Sequence, residues 1–159
     1  AGDAGPGCAL IDDWVHKRLG LNYDCNGDTA ASGSIQNQLV DQWLKSPFFA
    51  CDFPKSLDRQ TFYKFLDDCE SLNTADGAAT LTAFTAQAII KSLQFYPQIQ
   101  TVILTGGGRH NMFLREQLGQ TFCIQVVEDF GWNGDLIEAQ AFAYLAVRSC
   151  RNLPITFPT

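Results

Sequence analysis

The most constraining feature of the sequence is a short β-branched run that leads directly into three glycines. Residues 101–105 read Thr-Val-Ile-Leu-Thr, and Gly106, Gly107 and Gly108 follow at once. The run has the composition of a buried strand, and a helix is predicted after the glycines, at about 111–118. A strand, a glycine turn and a helix in this order are typical of parallel α/β folds.

A second strand is predicted shortly afterwards, and helices account for most of the remaining chain. The strand covers residues 122–127, a turn follows at 129–134, and Asp135 is the expected N-cap of a last helix. Thr74 is the expected N-cap of the longest helix. The other predicted helices cover residues 10–19, 34–45, 59–68 and 74–95. Two strands make a poor isolated sheet, so we expect a helix-rich α/β domain whose further strands lie in unassigned segments or upstream.

Composition excludes several classes of protein. A chain of 159 residues with 46% hydrophobic residues suits one globular domain. The net charge of −6 and the scattered basic residues are unlike the basic face of a nucleic-acid-binding protein. No apolar run approaches the ~18 residues of a membrane span, and the first ten residues do not resemble a secretory signal. The six cysteines lack CxxC spacing, so we expect no zinc site and six reduced thiols in a cytoplasmic protein.

The glycine turn is the first candidate site. Glycines let a ligand approach the backbone closely, and the N-terminus of the next helix favours a phosphate by about 0.3–1 kcal/mol. No Gly-Lys-Ser/Thr follows, so the turn is not a Walker A motif. The competing interpretation is a plain strand-to-helix turn in which Asn111 caps the helix.

The second candidate is Gly2-Asp3-Ala4-Gly5-Pro6-Gly7 near the start of the chain. Closely spaced glycines and a proline hold the backbone in a tight turn, which would point amides at a phosphate and present the carboxylate of Asp3. That carboxylate could act as a general base or lie near magnesium. The competing interpretation is a surface loop with a solvated aspartate.

Glu138 is the third candidate. Between residues 136 and 147 the strongly polar side chains are Glu138 and Gln140, and the alanines predict close packing of a buried helix. A carboxylate entering such a helix needs a partner or a function. Asp135 and Glu138 also have the spacing of a capping box, which is the structural alternative.

Three further segments have mainly structural interpretations. Asp24 and Asn26 are expected to shape a turn, and Lys55 is expected to be solvated. The aromatic side chains of Phe48 and Phe49 are expected in the core or in an interface.

Taken in order and spacing, these segments resemble the anhydro-N-acetylmuramic acid kinases over the whole chain. The matching motifs are Asp-x-Gly-Pro-Gly at 3–7, Leu-Ile-Asp at 10–12, Tyr-Asp-x-Asn-Gly at 23–27, Pro-Lys-Ser at 54–56, Thr-Leu-Thr-x-Phe-Thr-Ala at 80–86, Gly-Gly-Gly-x-x-Asn at 106–111, Glu-Ala-x-Ala-Phe-Ala-x-Leu-Ala at 138–146 and Leu-Pro at 153–154.

The resemblance implies a fold and a reaction. The fold is a ribonuclease H-like lobe of the two-lobed actin/hexokinase type, with ATP and magnesium in the cleft between the lobes. The reaction opens 1,6-anhydro-N-acetylmuramic acid with water and phosphorylates it to N-acetylmuramic acid 6-phosphate, in recycling of cell-wall sugar. Residues 1–159 would then be a single C-terminal lobe, inactive by itself in the absence of an N-terminal lobe.

The resemblance also implies residue roles. Asp3 would be the general base, and the glycine turn would lie beside it along one nucleotide groove. Glu138 would be a second carboxylate near that groove. The residues implied to bind the nucleotide are Gly5, Gly7, Gly106, Gly107, Gly108 and Asn111. No metal-ligating residue is assigned, and a homodimer is expected from the family.

The chain departs from the family pattern at three positions. Ala4 replaces a threonine, Cys8 replaces an asparagine, and Asp58 stands where a glycine is expected. The first two remove polar groups from the phosphate turn. They leave open a second hypothesis, a nucleotide-binding or dimerisation module without catalysis. A kinase for another sugar is a third hypothesis.

Overall fold

The computed structural model describes residues 2–155, except the side chain of Arg59. Ala1 and residues 156–159, which belong to the predicted lobe, lie outside the described residues. In chain order the elements are α1 (Ala9–Leu19), α2 (Asp28–Ala31), α3 (Asn37–Trp43), α4 (Lys64–Asp68), α5 (Thr74–Leu93), β1 (Thr101–Leu104), α6 (Met112–Gly119), β2 (Cys123–Val126) and α7 (Ile137–Cys150). Single turns of 3-10 helix lie at Cys25–Gly27, Pro47–Ala50, Arg59–Phe62, Gly107–His110 and Val127–Phe130.

The two strands pair in parallel, with Thr101 opposite Cys123 and Leu104 opposite Val126. Helix α6 makes the crossover between them, as a parallel connection requires. The expected helix-rich α/β architecture with a small sheet is therefore confirmed. In the described part of the chain the sheet contains only these two strands.

Helix α5 is the centre of the structure. Nearly all its side chains from Gly77 to Ala88 are buried, since its threonines and alanines are small enough to face neighbours on all sides. One side packs against α1, where the Trp14 indole lies against Gly77. Aromatic rings from α3, α4 and the intervening turns surround Phe84, which confirms the expected core position of this aromatic region. These rings are Trp43, Phe49, Phe62 and Phe65.

The other end of α5 supports the sheet. Ala86 and Ile90 form a second apolar cluster with Leu114 and Leu118 of α6. Three side chains of the sheet region pack on this cluster, namely Leu104, Phe122 and Ile124. The strands and the glycine turn are therefore held at a fixed position along α5.

Of the three N-caps that the sequence predicts, one is confirmed and two are wrong. Asn111 caps α6, because its side chain accepts a hydrogen bond from the Leu114 N–H at 2.9 Å. The N-cap of α5 is Asn73 rather than Thr74, since the Asn73 side chain accepts the Asp76 N–H. Asp135 does not cap α7, because its carboxylate binds Arg109 instead, and the expected capping box with Glu138 does not form.

The expected burial of the last helix is wrong in this structure. None of the residues of α7 is buried, and Phe142 is 65% exposed. Ile137 and Leu145 are partly covered, but most of the apolar side chains that predicted a buried helix are exposed in the described chain. No described helix is both long enough and apolar enough to cross a membrane.

The aromatic cluster gives a prediction about stability. Replacing Phe84 by alanine should lower the free energy of unfolding by about 3–5 kcal/mol, because it empties a fully enclosed site. Replacing Phe95, which is half exposed just beyond α5, should cost no more than about 1 kcal/mol. Urea denaturation of the two variants measures both values. Equal losses would contradict the assignment of Phe84 to the centre of the core.

Candidate functional site

The glycine turn leaves the carboxyl end of β1 and leads into α6. Gly106 has φ 67° and ψ −172°, a combination that only glycine adopts readily. The next residues make a single turn of 3-10 helix, in which the Asn111 N–H donates to the Gly108 carbonyl at 3.1 Å. The turn is therefore a specific backbone shape, and its middle glycine, Gly107, is exposed.

Two hollows adjoin this turn. The first has a volume of about 380 Å³, which suits a nucleoside-sized ligand. It lies between the turn, the start of α1 and the segment before α2. Its walls are formed by Cys8, Asp12, Tyr23, Asp24, Cys25, Asn26, Gly107, His110 and Asn111.

The second hollow, of about 550 Å³, lies on the other side of the turn. It brings Glu138 together with Gly106 and Gly107, while the role of Glu138 as a second carboxylate near the nucleotide groove stays a prediction. Its remaining walls come from the segment before α7 and from the first turns of that helix: Thr105, Gly134, Asp135, Ile137 and Ala141. Glu138 itself is exposed.

Asp3 lies in a different hollow, beside the loop that contains the cis peptide bond between Phe53 and Pro54. Its backbone N–H donates to the Lys55 carbonyl at 2.9 Å, and its Oδ2 accepts the Leu57 N–H at 2.7 Å. The carboxylate is thus held against this loop. The hollow that Asp3 lines in the described residues does not include the glycine turn, unlike the single groove that the sequence analysis expected.

The segment between Asp3 and α1 connects the two places along the surface of α5. A Cβ at Gly5 would lie 2.8 Å from the Ala88 Cβ, so only glycine allows this approach. The Thr85 hydroxyl donates to the Gly7 carbonyl at 2.9 Å. Cys8 follows, and its Sγ lies beside the last glycine of the turn. Gly5 therefore has a packing role, whereas its predicted role near phosphate, like that of Gly7, stays a prediction.

Arg109 is a residue that the sequence analysis missed. It is almost fully buried, and its guanidinium donates to the Gly106 carbonyl, to Glu128 and to Asp135, each at 2.8 Å. The hydrogen bond to Asp135 is the largest influence raising the pKa of Arg109. The pKa of Glu128 is lowered, first by its own backbone N–H and then by Arg109. An arginine directly after the glycines, with acidic residues beyond the next strand, was the available signal.

Two of the remaining expectations have different outcomes. Asp24 shapes its turn as expected, since its carboxylate accepts the N–H groups of Thr29 and Ala30 at 2.9 and 3.0 Å. Lys55 is not simply solvated, because its Nζ donates to the Phe48 carbonyl at 3.1 Å and lies 4.4 Å from the centre of the Phe48 ring.

The described residues contain no cluster of three or more His, Cys, Asp or Glu side chains that could hold a metal ion. Asp3 and Glu138 line different hollows, so they do not form a shared pair of carboxylates for magnesium. The described side chains do not by themselves fit such an ion, and no step below depends on it.

Comparison with known proteins identifies the family. The family model for anhydro-N-acetylmuramic acid kinase matches residues 1–159. The chain belongs to the anhydro-N-acetylmuramic acid kinase family. The chain is 45% identical to the anhydro-N-acetylmuramic acid kinase of Zymomonas mobilis over 159 residues, and it covers 43% of that protein. The corresponding kinase of Roseobacter denitrificans is also 45% identical and covered to 42%, and that of Rhodospirillum rubrum is 44% identical and covered to 42%.

The chain spans less than half the length of these relatives, although 98–99% of it is matched. The resemblance inferred from the motifs is thereby confirmed at the level of the family. The nucleotide-binding and catalytic roles of individual residues stay predictions.

The six cysteines, all of them free thiols, give a prediction about pH. Burial and the nearby charge of Asp12 raise the pKa of Cys8 to about 11, and burial raises that of Cys69 to about 12. Only the thiolate is nucleophilic, so both residues should remain unreactive until the pH approaches these values.

Brief alkylation with iodoacetamide at pH 8, followed by mass spectrometry, measures the order of reaction. The exposed Cys25, which lines the same hollow as Cys8, should be labelled well before Cys8. In the unfolded chain the two should react alike. Equal rates in the folded protein would contradict the burial of Cys8.

Proposed function

We propose that this chain is the C-terminal lobe of an ATP-dependent kinase that opens 1,6-anhydro-N-acetylmuramic acid and phosphorylates it to N-acetylmuramic acid 6-phosphate. The observation that carries the proposal is a family match over the entire chain, joined to a glycine turn at the carboxyl end of β1 with a hollow on each side. In open parallel sheets this end of a strand is the usual place for a ligand. The use of ATP favours a location in the cytoplasm.

The nucleotide is assigned to the glycine turn. Backbone amides of Gly106, Gly107 and Gly108 would approach the ligand without side chains in the way. The hollow of about 380 Å³ next to Asn111 has room for the nucleoside. Gly7, whose carbonyl is fixed by Thr85, would bring a further stretch of backbone towards the phosphates.

The catalytic step is assigned to Asp3. A water molecule attacks the anomeric carbon of the sugar, and its proton passes to the Asp3 carboxylate. The bond from that carbon to the bridging oxygen breaks, and the freed oxygen attacks the γ-phosphorus while ADP leaves. The hydrogen bonds of Asp3 to residues 55–57 support this assignment, because they hold the carboxylate in one orientation.

The remaining part of the site would come from an N-terminal lobe. The relatives are more than twice as long as the matched region. Exposed apolar side chains on α7, among them Phe142, Tyr144 and Val147, offer a surface on which such a lobe would pack. Such a lobe, placed over both Asp3 and the nucleotide turn, would complete a cleft that contains them.

A non-catalytic nucleotide-binding or dimerisation module is the second candidate function. Ala4 and Cys8 favour it, since they remove a hydroxyl and an amide from the phosphate turn. In that case the exposed face of α7 would be covered by a second copy of the chain, and the expected homodimer would use the same surface.

The activity test compares the whole natural protein with the chain of residues 1–159. With ATP and the anhydro sugar, the whole protein should form the 6-phosphate, whereas the chain alone should form none, because half a cleft does not align both substrates. Turnover by the chain alone would contradict the need for a second lobe. A whole protein that phosphorylates other sugars but ignores the anhydro sugar would contradict the substrate assignment.

The variant Asp3→Asn tests the catalytic base in the whole protein. It should lower kcat by about a hundredfold or more, since general bases contribute on this scale, while the affinity for ATP remains nearly unchanged. Asp52→Asn, which removes another exposed carboxylate on the neighbouring loop, is the control and should keep full activity. Steady-state kinetics measures both. Normal turnover by Asp3→Asn would remove Asp3 from this role.

A further inference from the structure

Arg109 connects three segments that meet at the carboxyl ends of the two strands. It lies within the glycine turn that follows β1, and it binds the turn's own Gly106 carbonyl through Nη1. Through Nε it binds Glu128, in the segment that follows β2. Through Nη2 it binds Asp135, which precedes α7. One side chain thus sets how the turn is placed relative to the segment that leads to Glu138.

Arg109 and its two carboxylate partners differ in burial, and this difference indicates what the ion pairs do. The Arg109 side chain is 4% exposed, whereas those of Glu128 and Asp135 are 43% and 74% exposed. If the guanidinium were removed, both carboxylates would be solvated rather than left buried without a partner. The fold therefore loses little. The Gly106 carbonyl, however, keeps only the Arg109 backbone N–H at 3.3 Å as a donor, and the glycine turn loses its side-chain restraint.

Gly134 gives independent support. A Cβ at this position would overlap the Nε of Arg109 and would lie 2.7 Å from its Cζ. The Gly134 N–H donates to the same Glu128 Oε1 that Arg109 binds, at 3.2 Å. The absence of a side chain at residue 134 is thus what leaves room for the guanidinium between the strand ends.

We propose that Arg109 is a positioning residue that holds the glycine turn in its nucleotide-binding conformation. It acts through the Gly106 carbonyl and through the strand-end segment containing Glu128 and Asp135, and it need not touch the nucleotide itself. A lysine would not replace it, because a single ammonium lacks the planar fork that reaches acceptors in three directions. This inference rests on the proposed function, since it assumes that the turn binds ATP.

The test measures ATP affinity in the whole natural protein, by calorimetry and by the KM for ATP. If the turn adopts its binding conformation only about a tenth of the time without Arg109, the apparent Kd rises about tenfold. Arg109→Gln should show this rise, while the KM for the sugar stays within about twofold of its original value. Arg109→Lys should recover only part of the affinity.

Two further variants keep the test decisive. Gly134→Ala should weaken ATP binding in the same direction without removing any charge, and it applies even if Arg109→Gln fails to fold. Arg115→Gln is the matched control on α6, where the guanidinium donates only to the Met112 sulfur in the described contacts. It should leave the Kd for ATP unchanged.

The outcomes separate the two proposals. If the original protein does not bind ATP, the proposed function fails. If it binds ATP and the folded Arg109→Gln and Gly134→Ala variants bind equally well, the positioning role fails while the proposed function stands. A parallel rise in the KM values for ATP and sugar would indicate general loss of structure, and it would also overturn the positioning role.

Discussion

The structure depends on how closely other segments approach helix α5. The Trp14 indole lies against the backbone at Gly77, and Gly33 packs against the α5 backbone at Ala75. Farther along, Gly5 packs against Ala88. Each approach needs a small residue at the contact, since a larger one would meet atoms that already fill the space. The small residues of α5, mostly threonines and alanines, therefore have a structural role, because they allow several neighbouring segments to pack closely against this one helix.

This close packing also gives the candidate site its geometry. The segment after Asp3 follows α5, where Ser92 donates to the Ala4 carbonyl at 3.3 Å and Thr85 to the Gly7 carbonyl at 2.9 Å. The same C-terminal half of the helix, through Ala86 and Ile90, also supports the sheet from which the glycine turn emerges. The chain start and the glycine turn are more than a hundred residues apart in sequence, yet both are positioned by the same rigid element.

Local sequence signals predicted much of this. The β-branched run and the glycines gave β1 and its turn, and Asn111 caps α6 as its position suggested. The error at Asp135 occurred because its side chain had two possible partners. Aspartate is a common N-cap residue, so Asp135 was expected to accept an N–H group at the start of α7. Its carboxylate binds Arg109 instead, because a hydrogen bond between two charged groups is stronger than one to a neutral backbone N–H. Such competition depends on contacts distant in sequence, so local spacing did not predict it.

Helix α7 shows a different limit of sequence analysis. Its apolar composition predicted burial, yet the described chain covers it only in part and buries none of its residues. An apolar composition indicates that a helix face packs against another surface, but it does not identify that surface. The relatives are more than twice as long as the matched region, and under the proposed function an N-terminal lobe would cover the exposed face of α7.

The separation of Asp3 from the glycine turn has a geometric bound. Asp3 and Cys8 are five residues apart, so their Cα atoms are at most about 18 Å apart even in a fully extended chain. Cys8 lies beside Gly108, so the same bound limits the distance between Asp3 and the part of the chain next to the glycine turn. Asp3 and the glycine turn nevertheless line different hollows. A ligand bound at the turn would have to extend along residues 4–7 to meet the carboxylate. The backbone of that stretch is held by α5, so its amides are already fixed in position before any ligand arrives.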